Sequence, residues 1–208
     1  ALLIGLPLGI LSAKKQNTII DNISMVLSLI GVSMPNFWFG LLVVMLFALK
    51  LGWLPSQGMG EGFVPLLLSL ILPALTLGTG SAGSIARMTR SSMLEVIRQD
   101  YISTARAKGV DERTVTFQHM LRNALIPIIT SVGLQFGSLL GGAMLTETVF
   151  SWPGLGRLMV ENIKSKDIPM VLGCVVFLAT MFTIVNLVVD LIYAFVDPRI
   201  KSLYKKGR

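Results

Sequence analysis

The sequence predicts an all-α membrane protein, a bundle of transmembrane helices with four complete spans and one truncated span at the N-terminus. Three observations lead there. Of the 208 residues, 53% are hydrophobic and only 14% are charged, whereas charged residues make up about a quarter of a soluble domain. The few charges are bunched and leave charge-free windows at residues 22–49, 62–86, 123–146 and 168–189. Each window exceeds the ~20 residues that a helix needs to cross ~30 Å of hydrocarbon. The basic residues also alternate in sides. Lys14, Lys15, seven in the stretch 87–122 and five after Phe195 fall on one side of consecutive spans, while Lys50, Arg157, Lys164 and Lys166 fall on the other. By the positive-inside rule, the 87–122 loop and the C-terminus face the cytoplasm.

In chain order, residues 1–13 are apolar but too short to span, and they end at Lys14-Lys15. They read as the tail of a span that begins upstream; a signal peptide would carry its positive charges before the apolar stretch. The span over 22–49 contains Pro35, which removes a backbone donor and is expected to kink the helix. The short outward loop 50–62 holds Trp53, suited to the headgroup level. The span over 62–86 carries Gly78, Gly80 and Gly83 in a formal G-x-G-x-x-G arrangement. That fingerprint needs a strand before it and a soluble βαβ unit around it, so small residues for close helix packing are the better reading.

From Met88 to Lys108 there is no Gly or Pro, which predicts an unbroken helix leaving the membrane and stopping at Gly109. Asp111 is placed to cap a second helix running through Phe117 and Leu121 and bending back near Arg122. On the next span, Gly133, Gly137 and Gly141 form a ridge for helix packing. Ser131, Gln135 and Ser138 lie on a separate face; they are candidates to line a polar pathway or to bond a neighbouring helix, as is Asn186 in the last span. Cys174, the one cysteine, lies mid-span and reads as a small packed hydrophobe. The chain reads as one transmembrane domain over 1–208 with the 87–122 loop inside it.

No Walker-type G-x-x-x-x-G-K-[ST] occurs, so the chain offers nothing to cradle nucleotide phosphates. His119 is the sole histidine, which leaves no metal-ligand cluster and no Ser/His/acid arrangement; no catalytic or metal residue is assigned. The net charge of +7 is spread over cytoplasmic loops beside anionic lipid and gives no nucleic-acid footprint.

Four stretches carry a resemblance: 101–109, centred on Ser103-Thr104-Ala105 and ending at Gly109; 122–127, from Arg122 to Pro127; 147–156, from Glu147 to Gly156; and 190–199, from Asp190 to Arg199. They resemble the permease subunits of ABC importers, in the branch that imports oligopeptides, dipeptides and nickel, and 101–113 looks like the cytoplasmic "EAA" coupling loop. Where the broad pattern has Glu-Ala-Ala, this chain has Ser103-Thr104-Ala105.

The resemblance implies a multi-pass subunit of a bacterial-type inner membrane, forming half of a peptide pathway. It implies four kinds of neighbour: a second homologous permease, two cytoplasmic ABC ATPase subunits, an extracytoplasmic solute-binding protein and membrane lipid. ATP and Mg would sit in the ATPase partners, with no cofactor on this chain. The implied docking residues are Tyr101, Thr104, Ala105, Lys108, Gly109, Val110 and Arg113. Nickel import by the same family, or an ATP-independent channel or scaffold, are the alternatives.

Overall fold

The structure, a computed structural model, describes residues 1–196, with side chains except at 140–142 and 193–196. Its described regular structure is helical throughout. The helices are α1 (Leu2–Lys14), α2 (Ile19–Ser33), α3 (Asn36–Val43), α4 (Phe63–Ile97), α5 (Asp100–Ala107), α6 (Glu112–Thr114), α7 (Arg122–Gly142), α8 (Met144–Val149), α9 (Leu155–Lys164) and α10 (Ile168–Val196). A π-helical stretch, Val44–Lys50, continues α3, and another, Val115–Leu121, joins α6 to α7. α4 and the Ile168–Ile192 part of α10 are each long and apolar enough to cross a membrane, while α2 and Asn36–Lys50, apolar enough together, are bent by 103° at the break between them, as in a broken span or a re-entrant loop.

Four boundaries differ from the sequence reading. Pro35 ends one helix and starts another instead of kinking a single rod, because its φ of −59° and ψ of 131° take the backbone out of the helical region. The helix expected from Met88 to Lys108 breaks at Arg98-Gln99, where Gln99 is extended with ψ 144°. The second helix does not stop near Arg122, since the Val115–Leu121 stretch continues into α7 with Arg122 at φ −56°, ψ −40°. The span over 123–146 is two helices, α7 and α8. The packing of Gly141 and the 197–208 tail lie outside what the structure describes.

The chain forms two compact units. The first holds Ala1–Ile30, Ala82–Leu134 and the segment from Asn186; the second holds Gly31–Ser81 and Gln135–Val185. In the second unit, Val43, Leu72 and Phe150 form a small core lined by Phe39, Val44, Phe47 and Val149. Gly40 admits Thr76 and Phe150 there, since a Cβ would lie 3.2 and 3.3 Å from their side chains.

In the first unit, α1 lies against α4 through glycines one turn apart. A Cβ at Gly5 would stand 2.7 Å from the Ala82 carbonyl, and one at Gly9 2.5 Å from Thr89 Cβ, so only hydrogen fits at this crossing. The core of this unit is Ala13, Met93, Leu94, Ile102, Ala105, Val115, Met120, Ala124 and Ile128, drawn from α1, α4, α5, the π-helical stretch and α7.

Beside this core sits a buried charge. Asp21, in the first turn of α2, is 1% exposed. Arg90 on α4 grips it with two parallel bonds, Nε to Oδ1 at 2.6 Å and Nη2 to Oδ2 at 2.7 Å. Ser12 of α1 donates its hydroxyl to Oδ1, and the Asn17 amide donates to Oδ2 at 2.9 Å. Asn17 adopts φ +61° to aim that amide, a conformation that asparagine tolerates better than most residues. Four bonds thus occupy both carboxylate oxygens and tie α1, α2 and α4 together.

Removing one partner of a buried ion pair costs about 3–5 kcal/mol, whereas replacing both by apolar residues of similar volume is far milder. Asp21→Ala is therefore expected to lower the thermal unfolding midpoint in detergent sharply. The double variant Asp21→Leu with Arg90→Met should be more stable than either single replacement, which a double-mutant cycle reads directly.

Candidate functional site

The polar stretch between α4 and α7 is built from the inside outward. α5 turns Ile102 and Ala105, one helical turn apart, into the core against Met93 and Val115. Ile102 is fully buried and Ala105 8% exposed. This spacing leaves Tyr101, Thr104 and Lys108 on the solvent side, where all three are exposed. The break at Gln99 serves the same end, because α5 has to change direction to lay that stripe on α4.

α5 then stops by a glycine cap. The Gly109 amide donates to the Arg106 carbonyl at 2.9 Å and the Val110 amide to the Ala105 carbonyl at 3.2 Å, the bond pair of a Schellman motif. Gly109 takes φ +75°. Val110 then folds its side chain back toward the core. One residue on, Asp111 Oδ2 accepts from the amides of Arg113 and Thr114 at 3.0 and 3.4 Å, capping α6.

A third brace crosses the turn. Arg106 donates to both oxygens of Glu112, Nε at 3.1 Å and Nη2 at 2.7 Å. The Arg106 guanidinium, hydrogen-bonded to Glu112, holds that carboxyl below the ordinary glutamate value, with further Coulombic pull from Arg106 and Lys14. The same bonds raise the arginine. Composition alone does not reveal this pair, though its six-residue separation across a glycine turn is the signal that could have found it.

Of the seven docking residues that the resemblance implies, five point outward: Tyr101, Thr104, Lys108, Gly109 and Arg113. Ala105 and Val110 do not, since both are spent on the chain's own core. Ala105 allows close approach, but to α4 and the π-helical stretch. Phe117, 50% exposed, is an outward apolar group that sequence reasoning treated only as part of a helix. With Arg113, Thr114 and Gln118 it lines a hollow of about 320 Å³. The outward set thus offers two aromatic rings and two cations on a rigid turn, suited to an acidic, partly apolar protein surface.

The remaining candidates are more dispersed. Gly133 stands against Val189 and Gly137 against Phe182, where a Cβ would come within 2.7 and 2.2 Å of those side chains. Ser131, Gln135 and Asn186 are half-buried and Ser138 is exposed; none of the four makes a side-chain hydrogen bond within the described residues. In the 147–156 stretch, the Glu147 carboxylate accepts from the Arg157 amide at 2.9 Å at the start of α9. Gly154 and Gly156 leave the room for it, because a Cβ on either would meet that carboxylate at 2.2 and 3.0 Å. Glu147 is therefore a helix cap.

The family model described as "Binding-protein-dependent transport system inner membrane component" matches residues 5–202. The dipeptide transport system permease protein DppB of Alkalihalophilus pseudofirmus is 47% identical over 224 residues, covering 97% of this chain and 67% of that protein. The di/tripeptide transport system permease protein DppB of Pseudomonas aeruginosa is 46% identical over 220 residues, covering 95% and 66%. This chain thus spans about two thirds of the length of these relatives. Among solved structures, the inward-facing MetNI methionine ABC transporter aligns with a TM-score of 0.74 at 21% identity, over 94% of this chain and 87% of that one. At that identity the likeness speaks for the fold.

Nothing lies within 4 Å of a Cβ built at Gly109, so a side chain there is penalised by backbone conformation alone, about 1–2 kcal/mol. Gly109→Val is expected to speed limited proteolysis of the turn, and Gly109→Asn to do so less, since asparagine enters the left-handed region more readily. Glu112 has a lowered value in the folded state, so the pair's stabilisation is present above the ordinary glutamate value and fades as pH falls through the folded one. Both partners are solvent-exposed, which limits the pair to about 0.2–1 kcal/mol. Carboxyl NMR should show Glu112 titrating below the ordinary range and returning to it in Arg106→Gln.

Proposed function

The chain belongs to the family of binding-protein-dependent transport system inner membrane components, and on that premise we propose that it is a permease subunit of an ATP-driven importer of short peptides. It forms half of a translocation pathway with a second, homologous permease. The names of the relatives support peptides over nickel, since those reported above are a dipeptide and a di/tripeptide permease.

The observation that carries the coupling role is the braced turn. Tyr101, Thr104, Lys108, Arg113 and Phe117 are held outward on a segment whose inner face is locked to the core by Ile102 and Ala105. A push on this turn moves α4 and α7 with it. The chain has no P-loop of its own, so the push comes from two cytoplasmic ATPase subunits that carry ATP and Mg. An extracytoplasmic solute-binding protein delivers the substrate. The membrane is the bacterial inner membrane, with the 87–122 turn and the C-terminus on the cytoplasmic side in keeping with the basic residues. Lipid and the second permease cover the apolar surface of α4 and α10, whose hydrophobic windows are only 17% and 6% buried by the chain itself.

Two experiments test this. Purification of the full-length protein in mild detergent should bring down a second permease and two ATPase chains; an isolated homo-oligomer would contradict the reading. Reversing both cations, Lys108→Glu with Arg113→Glu, should cut peptide uptake about tenfold or more, equivalent to at least ~1.4 kcal/mol of lost coupling, while the protein remains inserted. Uptake at the parental rate would sink the docking role.

A further inference from the structure

The break between α2 and α3 uncovers polar groups in the middle of an apolar segment. Residues 22–49 carry no charge, and Pro35 stands thirteen residues from one end and fourteen from the other. Having no N–H, Pro35 cannot return the bond that Gly31's carbonyl would receive in a continuous helix. On the far side, the Pro35 carbonyl takes the amides of Trp38 and Phe39 at 3.0 and 3.1 Å, and no side chain caps α3. The Asn36 and Phe37 amides are left without a partner among the described residues, and so is the Asn36 carboxamide.

These groups gather beside α4. A Cβ at Gly80 would lie 3.4 Å from the Gly31 carbonyl oxygen and 3.5 Å from Asn36 Oδ1, so two acceptor oxygens converge on a position of α4 that carries only hydrogen. Gly31 itself is seated on Thr79, 3.2 Å from where its Cβ would be. The break is not sealed: Ser33 and Pro35 are exposed, and Asn36 is half-buried. Irregular backbone at membrane depth persists where it is enclosed by protein or lines a water-filled cavity, and hydrocarbon does not tolerate it.

We propose that the Pro35 break faces the aqueous translocation pathway, and that Asn36 is a solute-contacting residue of that pathway. The proposal rests on the permease reading above and names a residue within it. A carboxamide carries one acceptor oxygen and two donor hydrogens, which is the complement of a peptide group. Asn36 can therefore exchange hydrogen bonds with the backbone of a passing peptide whatever its side chains are. Being uncharged, it holds the solute weakly enough to release it. The Gly31 carbonyl adds an acceptor for the solute's amide or ammonium hydrogens.

The test uses the full-length transporter in membrane vesicles, with a parent in which Cys174 and every other cysteine of the assembly are replaced by serine. Asn36→Cys should react with a membrane-impermeant methanethiosulfonate about tenfold faster than Leu41→Cys, which lies roughly 140° around α3 by helical geometry, and a saturating dipeptide should slow that reaction. Reaction at the Leu41→Cys rate or slower, or no slowing by dipeptide, overturns the proposal. Independently, Asn36→Leu should reduce dipeptide uptake about tenfold while Asn36→Gln retains most of it; uptake by Asn36→Leu at the parental rate overturns it. If the permease reading itself fails, the parent shows neither uptake nor co-isolated ATPase, whatever stands at position 36.

Discussion

The first unit depends on one charge that has nowhere else to go. Asp21 is buried among apolar helices, and its carboxylate persists there because Arg90, Ser12 and the Asn17 amide fill its oxygens. An unpaired charge in such surroundings is far more costly than a mispacked leucine, so the pair dictates geometry to its neighbours. It fixes how α4 is rotated, and that rotation points Met93 and Leu94 toward α5. The glycine contacts of α1 with α4 then follow, since Gly5 and Gly9 can approach only where Ile85 and Thr89 are turned to meet them.

The turn built on this base divides its residues between holding and presenting. Holding is done by a buried stripe, a glycine cap, an aspartate cap and an arginine–glutamate fork, each satisfying groups that a helix end leaves open. Presenting is done by what remains: rings and cations with no partner among the described residues. The division matters because a loop that flexed would absorb a push. In the proposed coupling role, force applied at the turn would reach α4 and α7 through the side chains packed in their shared core.

What could be read from the sequence was local. Gly109 and Asp111 announce their roles through chemistry that acts within a few residues, and both stand in the positions expected of them. Two of the four charge-free windows, 62–86 and 168–189, fall on helices long and apolar enough to cross a membrane, α4 and α10, because hydropathy is a property of the segment itself. Nonlocal pairings were hidden. Arg90 read as one of seven cytoplasmic cations in 87–122, and nothing in the neighbourhood of Asp21 or Arg90 names a partner 69 positions away. The break at Gln99 was equally silent: Met88 to Lys108 is good helix-forming sequence throughout, and tertiary packing of Ile102 and Ala105 overrode propensity. Ala105 shows the same limit, because a small residue beside a turn can face a partner or its own core, and only the fold chooses.

The distance between Asp21 and Arg90 along the chain also has a meaning in time. Synthesis proceeds at about 5–20 residues per second, so Asp21 emerges roughly 3 to 14 seconds before the arginine that neutralises it. Through that interval the carboxylate at the start of α2 lacks the guanidinium that it pairs with in the folded chain. The pairing is postponed until α4 arrives, which makes Arg90 the latch that decides when, as well as how, the first half of the molecule closes.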